Sequence, residues 1–260
     1  MKKFLLPFLC LLSAQAGAGN VIEMSTRDMG GNEIDRMTFY TESDRSRMDQ
    51  SGANGDVSVI FRGEDFVYVD HAQKNYMVMD EAMLEGIGTH ISQALKEMED
   101  QLAALPPEQR AMVEQMMQEQ MGGMGTTVEI PTLEIRQLGA GRWQSYDCKL
   151  AEMLEDGTKI QEICSVDYDE VDGSGDVRNS FKRMASLLNK LYDAIPFAGQ
   201  GVRNPMDMLD ELDGFPVRAV EFENGQPVRE TILESSMEKS VGGDTFELPS
   251  GYSRIDPLAN

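Results

Sequence analysis

The stretch that decides the fold reads Val57-Ser58-Val59-Ile60-Phe61-Arg62, Gly63-Glu64-Asp65, Phe66-Val67-Tyr68-Val69-Asp70, His71-Ala72-Gln73-Lys74, Asn75-Tyr76-Met77-Val78-Met79. Short runs of β-branched and aromatic residues are cut by clusters of turn formers, which is the signature of strands joined by hairpins. Upstream the same rule holds. Val21 to Asp28, Glu33 to Thr41 and Arg45 to Gln50 are separated by Gly30-Gly31-Asn32, Ser43-Asp44 and Ser51-Gly52-Ala53-Asn54-Gly55. Six such segments in succession predict an antiparallel meander.

After Met79 the period changes. Asp80 is a good N-cap, and Leu84, Ile87, Ile91, Leu95, Met98, Leu102 and Leu105 recur at spacings of three and four, one apolar stripe on a helix. Pro106-Pro107 ends that helix and can start a second, carrying Met112, Val113, Met116, Met117 and Met121. The pair reads as a helical hairpin inserted at about 80–124. Strands resume at Thr127 to Leu138, Trp143 to Leu154 and Lys159 to Tyr168. A helix follows from about Asp176 to Ala194 and a short one over Met206 to Leu212. Strands Val217 to Phe222 and Val228 to Ser236 flank Asn224-Gly225, a strong hairpin signal. A last strand is expected near Thr245 to Leu248. With no repeat and no long polar linker, residues 19–260 are expected to form a single domain of the α+β class. Its expected form is a strongly curved antiparallel β-sheet, a half-barrel, with helices packed on one face.

The first 18 residues carry an address. Lys2-Lys3, the apolar run Phe4 to Leu12 and the small residues Ala14, Ala16 and Ala18 match a signal peptide for export. The apolar run is too short to span a bilayer. Leu9 before Cys10 departs from a lipoprotein signal, so a soluble periplasmic or secreted protein is expected. Removal of the leader discards Cys10 and leaves Cys148 and Cys164, for which a disulfide is the default in an oxidising compartment. A three-residue loop Glu155-Asp156-Gly157 would pair Leu154 with Thr158 and, counting outward, Cys148 directly with Cys164. The same register sets Tyr146 against Val166 and Leu150 against Glu162.

Several of these segments together resemble a known family. Arg45-Ser46-Arg47-Met48-Asp49, Phe66 to Asp70 and Tyr76 to Met79 come first, then the helical insertion. Asp213-Gly214-Phe215-Pro216-Val217-Arg218 and Phe246-Glu247-Leu248-Pro249-Ser250-Gly251-Tyr252 close the chain. This pattern resembles an exported bacterial family, a domain of unknown function, that is itself similar in architecture to the LolA/LolB-like periplasmic lipoprotein carriers and receptors. The resemblance implies a LolA-like half-open barrel with helices as a lid over its concave face. It also implies a cavity for acyl chains or lipoprotein segments.

Charge narrows the partners. The chain has 23 Lys+Arg against 45 Asp+Glu, a formal charge of −22; loss of Lys2 and Lys3 leaves 21 against 45, or −24. Such a chain is repelled by nucleic acid and by anionic lipid headgroups. No catalytic signature is present: there is no Gly-x-Ser-x-Gly, no His-Glu-x-x-His, no P-loop and no dinucleotide fingerprint. His71 and His90 lack ligand-spaced partners and read as exposed polar residues. The acidic loop Asp167 to Asp176 invites calcium, but its phase is wrong for an EF-hand. Nineteen methionines invite either ordinary packing, an adaptable apolar surface, or Cu(I).

The expectation is therefore a non-enzymatic binding protein of the cell envelope, with no metal and no cofactor. It would hold a lipid-like or apolar ligand, or an envelope-protein segment, between sheet and helical lid. Met112, Met116, Met117 and Met121, with Phe39, Phe61, Tyr68, Tyr76, Trp143 and Phe222, are the candidate contacts, although the aromatic residues serve equally well as core. The alternative is an interaction or regulatory module of the envelope with a filled core and an acidic docking surface.

Overall fold

In the computed structural model, residues 18–53, 55–63, 65–106, 109–110, 132–194 and 211–256 are described. The first meander is as predicted, within a few residues at each end: β1 (Ala18–Asp28), β2 (Glu33–Glu42), β3 (Arg45–Gly52), β4 (Val57–Arg62), β5 (Asp65–Asp70) and β6 (Asn75–Met79). Helix α1 (Glu81–Ala104) follows, its first turn capped by the Asp80 carboxylate, which accepts from the Met83 amide at 2.8 Å. The second meander comprises β7 (Leu133–Trp143), β8 (Tyr146–Glu155) and β9 (Thr158–Val166), then helix α2 (Ser174–Ala194), then β10 (Phe215–Glu223) and β11 (Gln226–Ser240). The Asn224-Gly225 turn joins β10 and β11, with both residues at positive φ as a two-residue hairpin requires.

The two meanders are one sheet. β11 returns to pair antiparallel with β1, so the twelve strands run in the order β12-β6-β5-β4-β3-β2-β1-β11-β10-β9-β8-β7. β12 (Ser253–Arg254) adds in parallel to β6, which makes the sheet mixed. This overturns the expected antiparallel half-barrel with a helical lid. The sheet is open, strands carry most of the described chain, and α1, at 24 residues, is the longest helix among the described residues. The helices do not span a concave face. α1 lies against α2 and β6, while α2 lies against β2 and β3. Periodicity located these helices correctly but carries no information about how far they reach across a sheet.

Smaller expectations are corrected as well. Thr245 to Leu248 is not a strand: Gly243–Phe246 forms a 3-10 turn. Trp143 closes β7 rather than opening the next strand. The leader residues 1–17, residues 127–131, most of the second insertion helix and most of the helix expected at 206–212 lie outside the described residues. Ala18 already lies in β1, opposite Ser240.

The cysteine hairpin shows a correct pairing reached by a wrong register. Cys148 and Cys164 are bridged, with Cα atoms 5.5 Å apart. Yet the turn has two residues, Asp156 and Gly157, both at positive φ, so Glu155 pairs with Thr158. An irregularity at Met153/Leu154 adds a further step, and Cys164 stands opposite Leu150. The cysteines are diagonal neighbours. The net slip is two residues, which leaves side chains on their expected face, and so the bridge survives the error.

Candidate functional site

The strand registers draw rows of side chains straight across the first meander. Ile22, Phe39, Met48, Val59, Tyr68 and Met77 stand opposite one another in β1 to β6. One step toward the helices the row is Thr41, Ser46, Phe61, Phe66 and Met79. One step away it is Met24, Met37, Gln50, Val57, Asp70 and Asn75. Alternation along each strand puts all three rows on the same face.

The row nearest the helices is closed. Phe61 and Phe66 pack with Leu84 of α1 and Leu187 of α2. The Phe181 ring of α2 meets Phe61 at 6.2 Å and Phe39 at 6.0 Å, both edge-on, and Ser46 hydrogen-bonds Ser180 at 2.5 Å. The central row behaves differently along its length. Ile22 and Phe39 are buried, whereas Met48, Val59, Tyr68 and Met77 are only half-buried. These four cross three strand spacings, a band about 14 Å long. Met37 widens it, and Met24 lies buried beside Met37. The band is rich in thioethers, whose flexibility and polarizability suit an adaptable apolar contact. Gln50 and Asp35 form its polar lip, joined by a 2.6 Å hydrogen bond from Gln50 Nε2 to Asp35 Oδ2.

The residues singled out from the sequence do not form one constellation. Met112, Met116, Met117 and Met121 lie outside the described residues. Phe39 and Phe61 are together, both against Phe181, in filled core. Tyr68 belongs to the half-buried band. Tyr76 packs on the opposite face with Ile60, Val67, Val69, Leu248 and Tyr252. Trp143 stacks on Tyr146 at the far meander, and Phe222 lies under the Lys159 ammonium, 4.0 Å from its ring centroid. Met48, Val59, Met37 and Asp35 were not singled out. The signal that marks them is register: short hairpin loops fix which residues face each other, and a row emerges only when five registers are laid side by side.

The opposite face carries a polar network beneath the C-terminal segment. Arg47 donates to Asp49 Oδ1 at 2.5 Å, to Ser58 Oγ at 3.0 Å and to the Thr245 carbonyl at 2.9 Å. Arg62 donates to the Phe246 carbonyl at 2.6 Å, and the Arg45 guanidinium lies 4.8 Å from the Phe246 ring centroid. Ser253 and Ile255 amides bond the carbonyls of Lys74 and Tyr76. The segments Arg45 to Asp49, Phe66 to Asp70, Tyr76 to Met79 and Phe246 to Tyr252, which carried the family resemblance, thus converge here as an anchor for the chain end. Burial pushes the Tyr40 phenol up in pKa, with Asp49 adding to the effect. His71 is half-buried in this network, not exposed, while His90 is exposed.

Among the described residues no three His, Cys, Asp or Glu side chains come together as a ligand set. In the acidic loop Asp167 bonds Lys149 at 2.9 Å, and Val171 is buried. Lys149 holds Asp213 as well, at 2.9 Å, and these two carboxylates raise its pKa well above the usual lysine range.

No family model matches the chain, and no curated protein matches it. Among solved structures, an uncharacterized conserved protein from Thermus thermophilus overlaps 93% of this chain and 91% of its own, at 6% identity and a TM-score of 0.42. A structure of PNGF-II overlaps 93% of this chain at 9% identity and a TM-score of 0.41, with the match spanning 32% of the PNGF-II chain.

Proposed function

We propose that this chain is an exported, non-enzymatic binding protein of the periplasm. It holds a lipid-like apolar ligand against the helix-bearing face of its sheet, on the band formed by Met48, Val59, Tyr68 and Met77. The observation that carries this reading is the change along one row of side chains. Its Ile22–Phe39 end is buried under α2, and its other four members are only half-buried, apolar and contiguous; Met48 and Val59 lean on the neighbouring core clusters, while Tyr68 and Met77 lie outside them. Covering such a band removes apolar area from water, worth roughly 25 cal/mol per Å² before ordering costs. Export is supported by the leader pattern and by the Cys148–Cys164 bridge, which suits an oxidising compartment. Among the described residues no helix is long and apolar enough to cross a membrane.

The test is native mass spectrometry and solvent extraction of protein purified from the periplasm, combined with titration of the apolar fluorophore N-phenyl-1-naphthylamine. Co-purified lipid and saturable fluorophore binding that Tyr68→Lys abolishes support the reading. A clean apo mass, no fluorophore binding and salt-sensitive capture of a basic envelope protein would replace it with the interaction-module alternative.

A further inference from the structure

The geometry points to a positively charged head group on the ligand: an amphiphile whose apolar chain lies on the methionine band and whose ammonium or other cationic donor meets Asp35. This rests on the reading of the band as an apolar binding site. Asp35 faces Thr26 of β1 and Gly52 of β3, and alternation along β2 puts it on the face of Met37, one step further from the helices. Its carboxylate is half committed. Oδ2 accepts from Gln50 Nε2 at 2.6 Å, while Oδ1 is buried and has no hydrogen-bond partner. That oxygen sits against Gly52, 3.0 Å from where a Cβ at that position would lie, so only glycine there leaves it room. A buried carboxylate oxygen without a donor is an unfavourable state, and a charge-assisted hydrogen bond is its strongest remedy.

Among the described residues no side chain supplies the missing donor. Arg36, the next residue, bonds Glu33 at 2.7 Å and reaches toward Glu23. Arg27 pairs with Glu234. Asp35 therefore keeps one carboxylate oxygen without a donor among the described residues, at the lip of an apolar band and in a protein whose net charge of −22 also draws cations. A ligand with an anionic head meets repulsion at the same place.

Displacement of bound N-phenyl-1-naphthylamine from the full chain by decylammonium, decanol and decyl sulfate tests the assignment, since the three share one chain and differ in head group. The expected order is decylammonium first, about tenfold tighter than decanol, with decyl sulfate weakest. Asp35→Asn is expected to bring decylammonium and decanol together. Equal displacement by the three in the unaltered protein would overturn the inference, and so would an ammonium preference that persists in Asp35→Asn. In both cases the apolar site itself would stand. Absence of fluorophore binding would overturn both.

Discussion

Ser58 Oγ lies 2.6 Å from His71 Nε2, and the same hydroxyl donates to Asp49 Oδ1 at 2.6 Å. A hydroxyl has one proton, and here it is committed to Asp49. His71 must then carry its proton on Nε2 and donate to Ser58, leaving Nδ1 to accept from the Tyr252 hydroxyl at 2.9 Å. A serine beside a histidine suggests a nucleophile and its base. Ser58 is fully buried, its proton is spent on a carboxylate, and Arg47 donates to it as well. The pair fastens Tyr252, and through it the C-terminal segment, to the sheet.

Replacing His71 by phenylalanine removes both bonds while filling the space, and leaves the buried Ser58 hydroxyl one partner short. A loss of about 1–3 kcal/mol is expected from that unsatisfied network. His71→Gln, whose amide can still donate toward Ser58, is expected to lose less. Denaturant melts give the magnitude. Amide exchange locates it: the Ser253 and Ile255 amides, which bond Lys74 and Tyr76, should lose protection first. Unchanged protection there would refute the anchoring role.

The bridge between Cys148 and Cys164 closes a loop with a separation of 16 residues. By the chain-entropy model it contributes about 3 kcal/mol. The double variant Cys148→Ala, Cys164→Ala should therefore melt lower than the oxidised protein, and reductant should lower the melting temperature of the unaltered chain alone. Thiol titration of native exported protein should find neither cysteine reactive.

Much of the fold was legible because hairpin turns and hydrophobic period are local signals. β1 to β6, α1 with its Asp80 cap, α2, and the Asn224-Gly225 hairpin all follow from neighbours in the chain. Pairings between distant segments were not legible. Nothing near Ala18 or Ser240 announces that β1 and β11 meet, and the parallel addition of Ser253 to Asn75 leaves no trace in two residues. The candidate site has the same character. Tyr68 was visible as an aromatic strand residue, but Asp35 looked like any surface carboxylate until β2 was set between β1 and β3.

Two titrations should act on opposite limbs of the stability curve. Asp28 has its pKa lowered from 3.8, chiefly by the Asn32 side chain, with backbone amides of Asn32, Gly30 and Gly31 contributing. A lowered folded value means stability present above the ordinary aspartate range and lost as the pH falls through the folded value. Asn32→Ala should flatten that acid limb. Lys149 has its pKa raised, first by the hydrogen bond to Asp167 and then by Asp213. Its contribution is present below the ordinary lysine value of 10.5 and fades as the pH rises through the folded value. Asp167→Asn should weaken the alkaline limb and leave the acid limb alone. Unfolding free energy followed from about pH 2 to 12 separates the two.

Stability and binding should separate along the rows of the first meander. Phe61 is 4% exposed and packs on Phe66, Phe181, Leu84 and Leu187, so Phe61→Ala opens a cavity and should cost about 3–5 kcal/mol. Tyr68, one step along the same face and half-buried, lies outside the packed clusters. Tyr68→Lys lets the long side chain run its apolar stem along the sheet and keep its ammonium in water, so its stability cost should be small. It does set a hydrated charge at the middle of the band, and apolar ligand binding should be lost. Chemical denaturation paired with fluorophore titration reads both quantities on each variant. If Tyr68→Lys unfolds the protein as readily as Phe61→Ala, the band is core and not a binding surface.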